Sequence, residues 1–533
     1  MSSQEVNNYE SAIKLQRRPT GLDHLYPRPD LENLDYFLNK DNLASSNISS
    51  RSSPTPPVLS IREHFLVIHD VLSGSWKGFG SSIGDNSALS AEEAIDRPVL
   101  IFMRGHASPS WLRTIARVFD ASYELYRRHM DFEAFKFIPR ELYCSPGLPS
   151  ASNRVFQLLI PSLCFRSIDR SSEPENLQSI REQGSEKMRA YFRDLRSLAR
   201  VGDSVVRKYV LLSKQAYTLE QKATIEVVRQ TDTWRALVWL DSGRDLSQSV
   251  CGPWNPPKSA KAWETYVLPV IVSQKATGIA PSMTQSKSWL TVENDQGPSP
   301  SPIPDASRSW KASQNVCMLP FQYGQQLDKD LAGKDALYAL SELFLFAATA
   351  EVQFLNLIQS LIEHELSFIG DARFHAISLL NLRYIKAQLS SHERHLSETV
   401  NILQNRQWLG WPSSPNGEAK KTAAMLITNY QFLVQLAKNL GRDTEQGMAT
   451  LANASVLDES RRSANNAMRV QRLTVLATVF IPLSFVCAVW GMNFKEMGTG
   501  ILPMWWWVVT AVPVLILSLV IFFSEAIRKY FKF

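Results

Sequence analysis

His392 and His395 stand three residues apart in a helical pattern, so both imidazoles fall on one face with the spacing to share a zinc ion. No third ligand is nearby in the sequence, and a solvated polar face is therefore expected for this His-Glu-Arg-His stretch. His364-Glu365 lacks the second histidine of a zinc-hydrolase H-E-x-x-H motif. The chain shows no P-loop, dinucleotide fingerprint or nucleophile motif, which disfavours ATP-driven pumping and hydrolysis; an enzyme is not expected. Cys144, Cys164, Cys251, Cys317 and Cys487 never form a C-x-x-C pair, which argues against a disulfide framework or thiolate zinc site and fits a reducing cytosol. The most informative group is Gly491-Met492-Asn493, flanked by Trp490 and Phe494. Gly491 permits a tight turn and close helix approach, Met492 can pack, and Asn493 offers an uncharged amide. A simpler reading is a glycine helix stop with asparagine as its cap.

Two apolar runs position this tripeptide. Leu473 to Met492 reads LTVLATVFIPLSFVCAVWGM and Met504 to Phe523 reads MWWWVVTAVPVLILSLVIFF, neither with a charged residue. At about 1.5 Å of rise per residue, some 20 apolar residues cover the ~30 Å hydrocarbon core, so both are expected to span a membrane. Arg461, Arg462, Arg469 and Arg472 precede the first run, and Arg528, Lys529 and Lys532 follow the second. The connection at 493–503 offers only Lys495, balanced by Glu496. The positive-inside rule then puts both termini in the cytosol and the tripeptide outside, with Trp505, Trp506 and Trp507 at the outer interface. Pro482 frees a backbone carbonyl one turn upstream, which a pore or neighbouring helix could satisfy.

The remaining mass of the 533-residue chain is large enough for a core of its own. Its net charge of +6 comes partly from the basic residues beside the apolar runs, and no basic stripe with interleaved aromatics suggests nucleic acid. The N-terminus has no apolar h-region and carries Glu5 and Glu10, so neither a secretory nor a mitochondrial presequence is expected. Residues 1–57 are polar and expected to be disordered or only locally ordered. Over 58–334, strand-like runs at 99, 154, 205 and 233 alternate with helical patterns from Ser108 and Glu175, giving an α/β cytosolic domain. A Pro/Ser-rich insertion is expected at 281–313. Long helices and a stalk follow at 335–472, the last helix broken near Gly441 or Gly447 or running straight into the first span at 473–492. The outer loop at 493–503, second span at 504–523 and basic cytosolic tail at 524–533 complete the layout.

Leu473 to Phe494, LTVLATVFIPLSFVCAVWGMNF, carries an ATxFxPLxF core and a terminal GMN. In these residues the chain resembles the CorA family of divalent-cation transporters, in its large fungal branch, and LIFMRGHASPSWL is similar to fungal members as well. The resemblance implies a funnel-shaped homopentamer with a helical, coiled-coil-like stalk, whose first spans line a channel-like pore. Gly491, Met492 and Asn493 would be its selectivity filter, with a ring of Asn493 side chains holding hydrated Mg²⁺ through its water. Ser484, Ile481, Ala477 and Leu473 would line the pore. Glu496 is a carboxylate that could attract cations outside, offset by Lys495, and Asp458, with Glu459, is a candidate for an acidic ring at the cytosolic mouth or equally for a solvated helix face. Mg²⁺ would be both the transported and the regulatory ion, with no other cofactor. The partners would be divalent cations, the bilayer of the plasma membrane and further copies of the chain. The segment after GMN departs from the acidic MPEL type of many members and reads FKEMGTGILP. That leaves two alternatives: a Zn²⁺ or Co²⁺ transporter of the same family, and a non-conducting, membrane-anchored regulatory or interaction protein.

Overall fold

A computed structural model describes residues 34–38, 64–81, 83–89, 97–131, 155–166, 177–229, 233–254, 265–272, 315–490, 503 and 505–530. The expected insertion at 281–313 and the segment 491–502 lie outside the described residues. The chain divides into two compact units, 1–364 with 383–445, and 365–382 with 446–533. Most of the helical sequence between 335 and 445 thus belongs with the sheet, residues 365–382 excepted, and one unit boundary falls inside the last long helix.

The first unit is built on an eight-stranded sheet: β1 (Leu66–Asp70), β2 (Trp76–Phe79), β3 (Val99–Arg104), β4 (Val155–Arg166), β5 (Lys208–Leu211), β6 (Ala216–Arg229), β7 (Trp234–Leu240) and β8 (Thr265–Val267). Its order is β2-β1-β3-β7-β6-β4-β8, with β5 also on β6. Among the described pairs only β3 and β7 run parallel. The longer helices that accompany it are α1 (Pro109–Phe119), α2 (Tyr123–His129) and α3 (Leu177–Leu198). Ser108 starts α1 by accepting from the Trp111 amide at 3.3 Å, and Asp120 ends it in the left-handed region at φ 52°. The apolar face of α1 then buries Trp111, Leu112, Ile115 and Phe119 in the sheet's core. Residues 34–38 form a helical turn that sinks Leu34, Phe37 and Leu38 into the same core. Order therefore begins before the expected start at 58, because these apolar residues share one helix face.

The Arg-Gly of the LIFMRG stretch is structural. Arg104 is fully buried and donates to the carbonyls of His64, Gly243 and Cys317 at 2.7–3.0 Å, joining β3 to three distant segments. Gly105 follows at φ 69°, where a side chain would be strained and would meet the Asp203 backbone.

Four longer helices complete the chain: α4 (Ser341–Leu366), α5 (His375–Gln404), α6 (Gly417–Trp490) and α7 (Trp505–Tyr530). α6 runs for 74 residues without the break considered at Gly441 or Gly447. At Gly447 the reason is packing: a Cβ there would lie 2.5 Å from the Leu366 side chain, so glycine permits an approach within the helix and does not end it.

Candidate functional site

The first candidate, the His392/His395 pair, is not a solvated face. His392 is 1 % exposed on α5, stacked at 4.1 Å on Phe354 and held between two carboxylates. Its Nδ1 lies 2.7 Å from Glu351 on α4, and its Nε2 lies 3.4 Å from Glu220 on β6. Burial alone would lower its pKa, but the two carboxylates outweigh that and raise it to about 9. A protonated imidazole has no lone pair for a metal, so the pair does not bind zinc in this state. His395 goes the other way, lowered to about 4 by burial and by the positive charges of Lys222 and His392. Nearby, Arg207 lies 2.6 Å from the fully buried Asp241, and Lys222 lies 2.7 Å from Asp131. His392, Arg207 and Lys222 are thus each paired with carboxylates of the same unit. Among the described residues no group of three or more His, Cys, Asp or Glu could hold a metal ion.

α6 carries the residues expected to line an ion path. Its first half has an unbroken alternation of buried positions at spacings of four and three: Ala419, Ala423, Leu426, Tyr430, Leu433 and Ala437, continuing to Leu451. This is a two-per-heptad apolar seam, and the chain covers it with its own residues; Tyr430 also donates to the Phe344 carbonyl on α4 at 2.9 Å. Beyond Leu451 the pattern stops, and from residue 452 to Trp490 only Val486 is buried.

In that second half the helix has two distinct faces. Ser518 on α7 donates to the Thr478 carbonyl at 2.9 Å. Thr478 lies four residues before Pro482, so its carbonyl is the one Pro482 leaves without a helix donor. The neighbouring helix supplies the missing bond, one of the two possibilities the sequence left open. At about 100° per residue, Thr478, Pro482 and Val486 share one face, whereas Leu473, Ala477, Ile481 and Ser484 fall on another about 140° away. Leu473 and Ile481 are 65 % and 66 % exposed, and Ser484 turns its hydroxyl back to the Ile481 carbonyl at 2.9 Å. The four expected lining residues are therefore brought to a single face, and α7 packs on a different one.

Asp458 is not on that face. It sits about 100° around the helix from its centre, on the continuation of the buried seam. There it lies 3.9 Å from His375 Nδ1 and 4.0 Å from Arg461. Gly491, Met492, Asn493 and Glu496 lie outside the described residues. At the start of α7, Trp505 and Trp506 stack with ring centroids 4.9 Å apart.

By length and composition α6 is apolar enough to cross a membrane, with 6 % of its most apolar stretch buried, and Trp505–Val520 is a shorter apolar helix. The stretch Ser341–Gly370 passes the same test, but half of its window is buried within the protein, as befits a core helix.

Residues 333–529 match the model of the family described as CorA-like Mg²⁺ transporter protein. A Schizosaccharomyces pombe protein described as a candidate metal ion transporter is 28 % identical over 149 residues, covering 27 % of this chain and 22 % of that protein. The chain thus shares only about a fifth of that relative's length. The matched segment takes in all of α4 to α6 and nearly all of α7. The N-terminal α/β sheet, the long helices and two apolar helices at the C-terminal end fit the expected fold, and residues 333–529 form a CorA-like segment.

Proposed function

We propose that the protein moves divalent cations, Mg²⁺ first among them, into the cytosol through a homopentameric pore lined by α6. The observation that carries this reading is the division of faces on α6. α7 packs on the Thr478–Val486 side, and the Leu473–Ser484 face is left open and continuous along the apolar stretch. A two-helix hairpin cannot enclose an ion path, so that face requires other copies of the chain. Ile481 and Leu473 then form apolar rings that close by dewetting, and Ser484 offers a hydroxyl to hydration water. A ring of Asn493 amides at the outer end holds the hydrated ion by its water, which suits a cation that sheds its shell reluctantly. The membrane potential supplies about 4.6 kcal/mol per 100 mV for a divalent ion.

Cytosolic Mg²⁺ closes the pore in this reading. The regulatory ion would be held by carboxylates between the cytosolic domains of neighbouring copies, with tighter binding to the closed state. The basic flanks of the spans place both termini in the cytosol in this reading, and the plasma membrane is its host membrane by default, since no presequence is visible.

The test is Mg²⁺ uptake into proteoliposomes carrying a fluorescent indicator, under an inside-negative potential, for the native chain and Asn493→Ala. Uptake that disappears in the variant is the expected result. No uptake by either protein, with pentamers present, would overturn the reading in favour of a non-conducting membrane-anchored protein. Uptake of Zn²⁺ or Co²⁺ in preference to Mg²⁺ would overturn the choice of cargo.

A further inference from the structure

The seam face of α6 changes chemistry as it nears the membrane. At about 100° per residue, Arg461, Arg472, Arg469 and Arg462 fall within one arc of about 100°, and Gly447 and Leu451 lie in that same arc higher up the helix. The face that is covered by apolar packing down to Leu451 thus becomes an arginine stripe below Asp458. All four arginines are exposed. Arg461 shares Asp458, and among the described residues Arg462, Arg469 and Arg472 have no ion-pair partner. The centre of the stripe lies about 110° from the Leu473–Ser484 face and about 110° from the Thr478–Val486 face. It therefore points neither along the open apolar face nor toward α7.

The depth of the stripe follows from the one bond between the apolar helices. Val486 and Ala511, further along α6 and back along α7 from the Thr478–Ser518 contact, are both buried, as antiparallel pairing requires. That pairing sets residue 468 level with residue 528, so Arg469 and Arg472 share a depth with the positions of Arg528 and Lys529 at the edge of the uncharged stretch. The partner is narrowed by charge. From Arg461 to Trp490 α6 has no Asp or Glu, and α7 has a single carboxylate, Glu525, which this pairing sets level with residue 471, so the two spans of a second copy offer one carboxylate at this depth against several basic residues. Phospholipid phosphates occupy that layer, and a guanidinium fork can take a phosphate by two parallel hydrogen bonds.

We propose that the stripe of Arg462, Arg469 and Arg472 is a binding surface for anionic phospholipid headgroups in the leaflet at the Arg472 end of the spans. It acts beside the ion path and does not depend on which ion, if any, crosses. The apolar face handles the permeating path, while the arginines fasten the same helix to the bilayer surface.

The test uses the full chain in bilayers of phosphatidylcholine, with spin-labelled phosphatidylglycerol or spin-labelled phosphatidylcholine as probe and the fraction of motionally restricted label as readout. The native protein should prefer the anionic probe. R462Q/R469Q/R472Q should lose that preference by up to about five-fold per arginine removed, whereas the corresponding lysine variant and Arg442→Gln should keep most of it. Excess inorganic phosphate should not abolish the preference, because the headgroups are concentrated at the surface; raised salt should weaken it. An unchanged preference in the glutamine variant overturns the proposal. So does a salt-independent preference in the native protein, a result that stands even if the variant fails to fold. Loss of oligomer without loss of lipid preference would assign the stripe to a second copy instead. A native chain with no Mg²⁺ uptake but an arginine-dependent lipid preference would sink the transport reading and leave this one standing.

Discussion

The two halves of α6 are one helix under opposite rules. From Ala419 to Leu451 every seam position is buried by the chain itself, and in the first unit even a buried imidazole, His392, is held between two carboxylates of the same chain. From residue 452 to Trp490 a single residue is buried, although Leu473, Leu476, Phe480, Ile481 and Phe485 are large and apolar. Water penalises such exposure at roughly 25 cal/mol per Å², so the second half is folded for a different surrounding. The first half is complete in one chain. The second is completed by lipid and, in the proposed assembly, by copies of itself.

This contrast can be broken most sharply at His392. His392→Ala removes the cation between Glu220 and Glu351 and should cost about 3–5 kcal/mol, read by thermal unfolding of the full chain in detergent. An exposed second-half change such as Arg469→Gln should leave that transition within about 0.5 kcal/mol. The pH dependence follows from the same group. Its folded pKa, raised to about 9, exceeds the ordinary value of 6.5, so its contribution is whole below about pH 6.5 and is lost as pH rises through about 9. The native protein should weaken across that window, and the alanine variant should not show this component.

A smaller effect separates two glycines of the first and second units. Gly441→Ala meets nothing within 4 Å and should stabilise by up to about 1 kcal/mol through helix propensity. Gly447→Ala drives a methyl into Leu366 and should instead cost about 1–3 kcal/mol; equal stabilisation of both would show that the approach at Gly447 is slack. The smallest change is Ser518→Ala, which strands the Thr478 carbonyl and should cost about 0.6 kcal/mol, measured by steric-trap unfolding in bilayer discs.

The sequence exposes some of these features and hides others for physical reasons. The strands that begin at 99, 155, 208 and 234 are legible, within three residues of the expected starts, because β-branched and apolar residues dominate them. β6, the longest strand, is not, since Glu220, Gln221, Thr224 and Glu226 are buried polar residues that spoil the period-two pattern. Only tertiary partners such as Lys208 and His392 make Glu220 tolerable inside, and no local window contains them. His392 was expected in solvent for the same reason. In the spans the logic is local: a proline frees a carbonyl four residues back, and the sequence alone identifies which carbonyl needs a donor. That the donor is Ser518, 40 residues away, emerges only from the fold.

The bond from Ser518 to Thr478 also works as an axial index mark between the two spans. Pro482 opens one acceptor at one height on α6. Sliding α7 by a turn, about 5.4 Å, would carry the hydroxyl past it and leave both groups facing hydrocarbon. Apolar side chains alone would let two smooth helices ratchet to neighbouring positions at little cost. A proline in one helix and a serine in the other bias the hairpin toward one height.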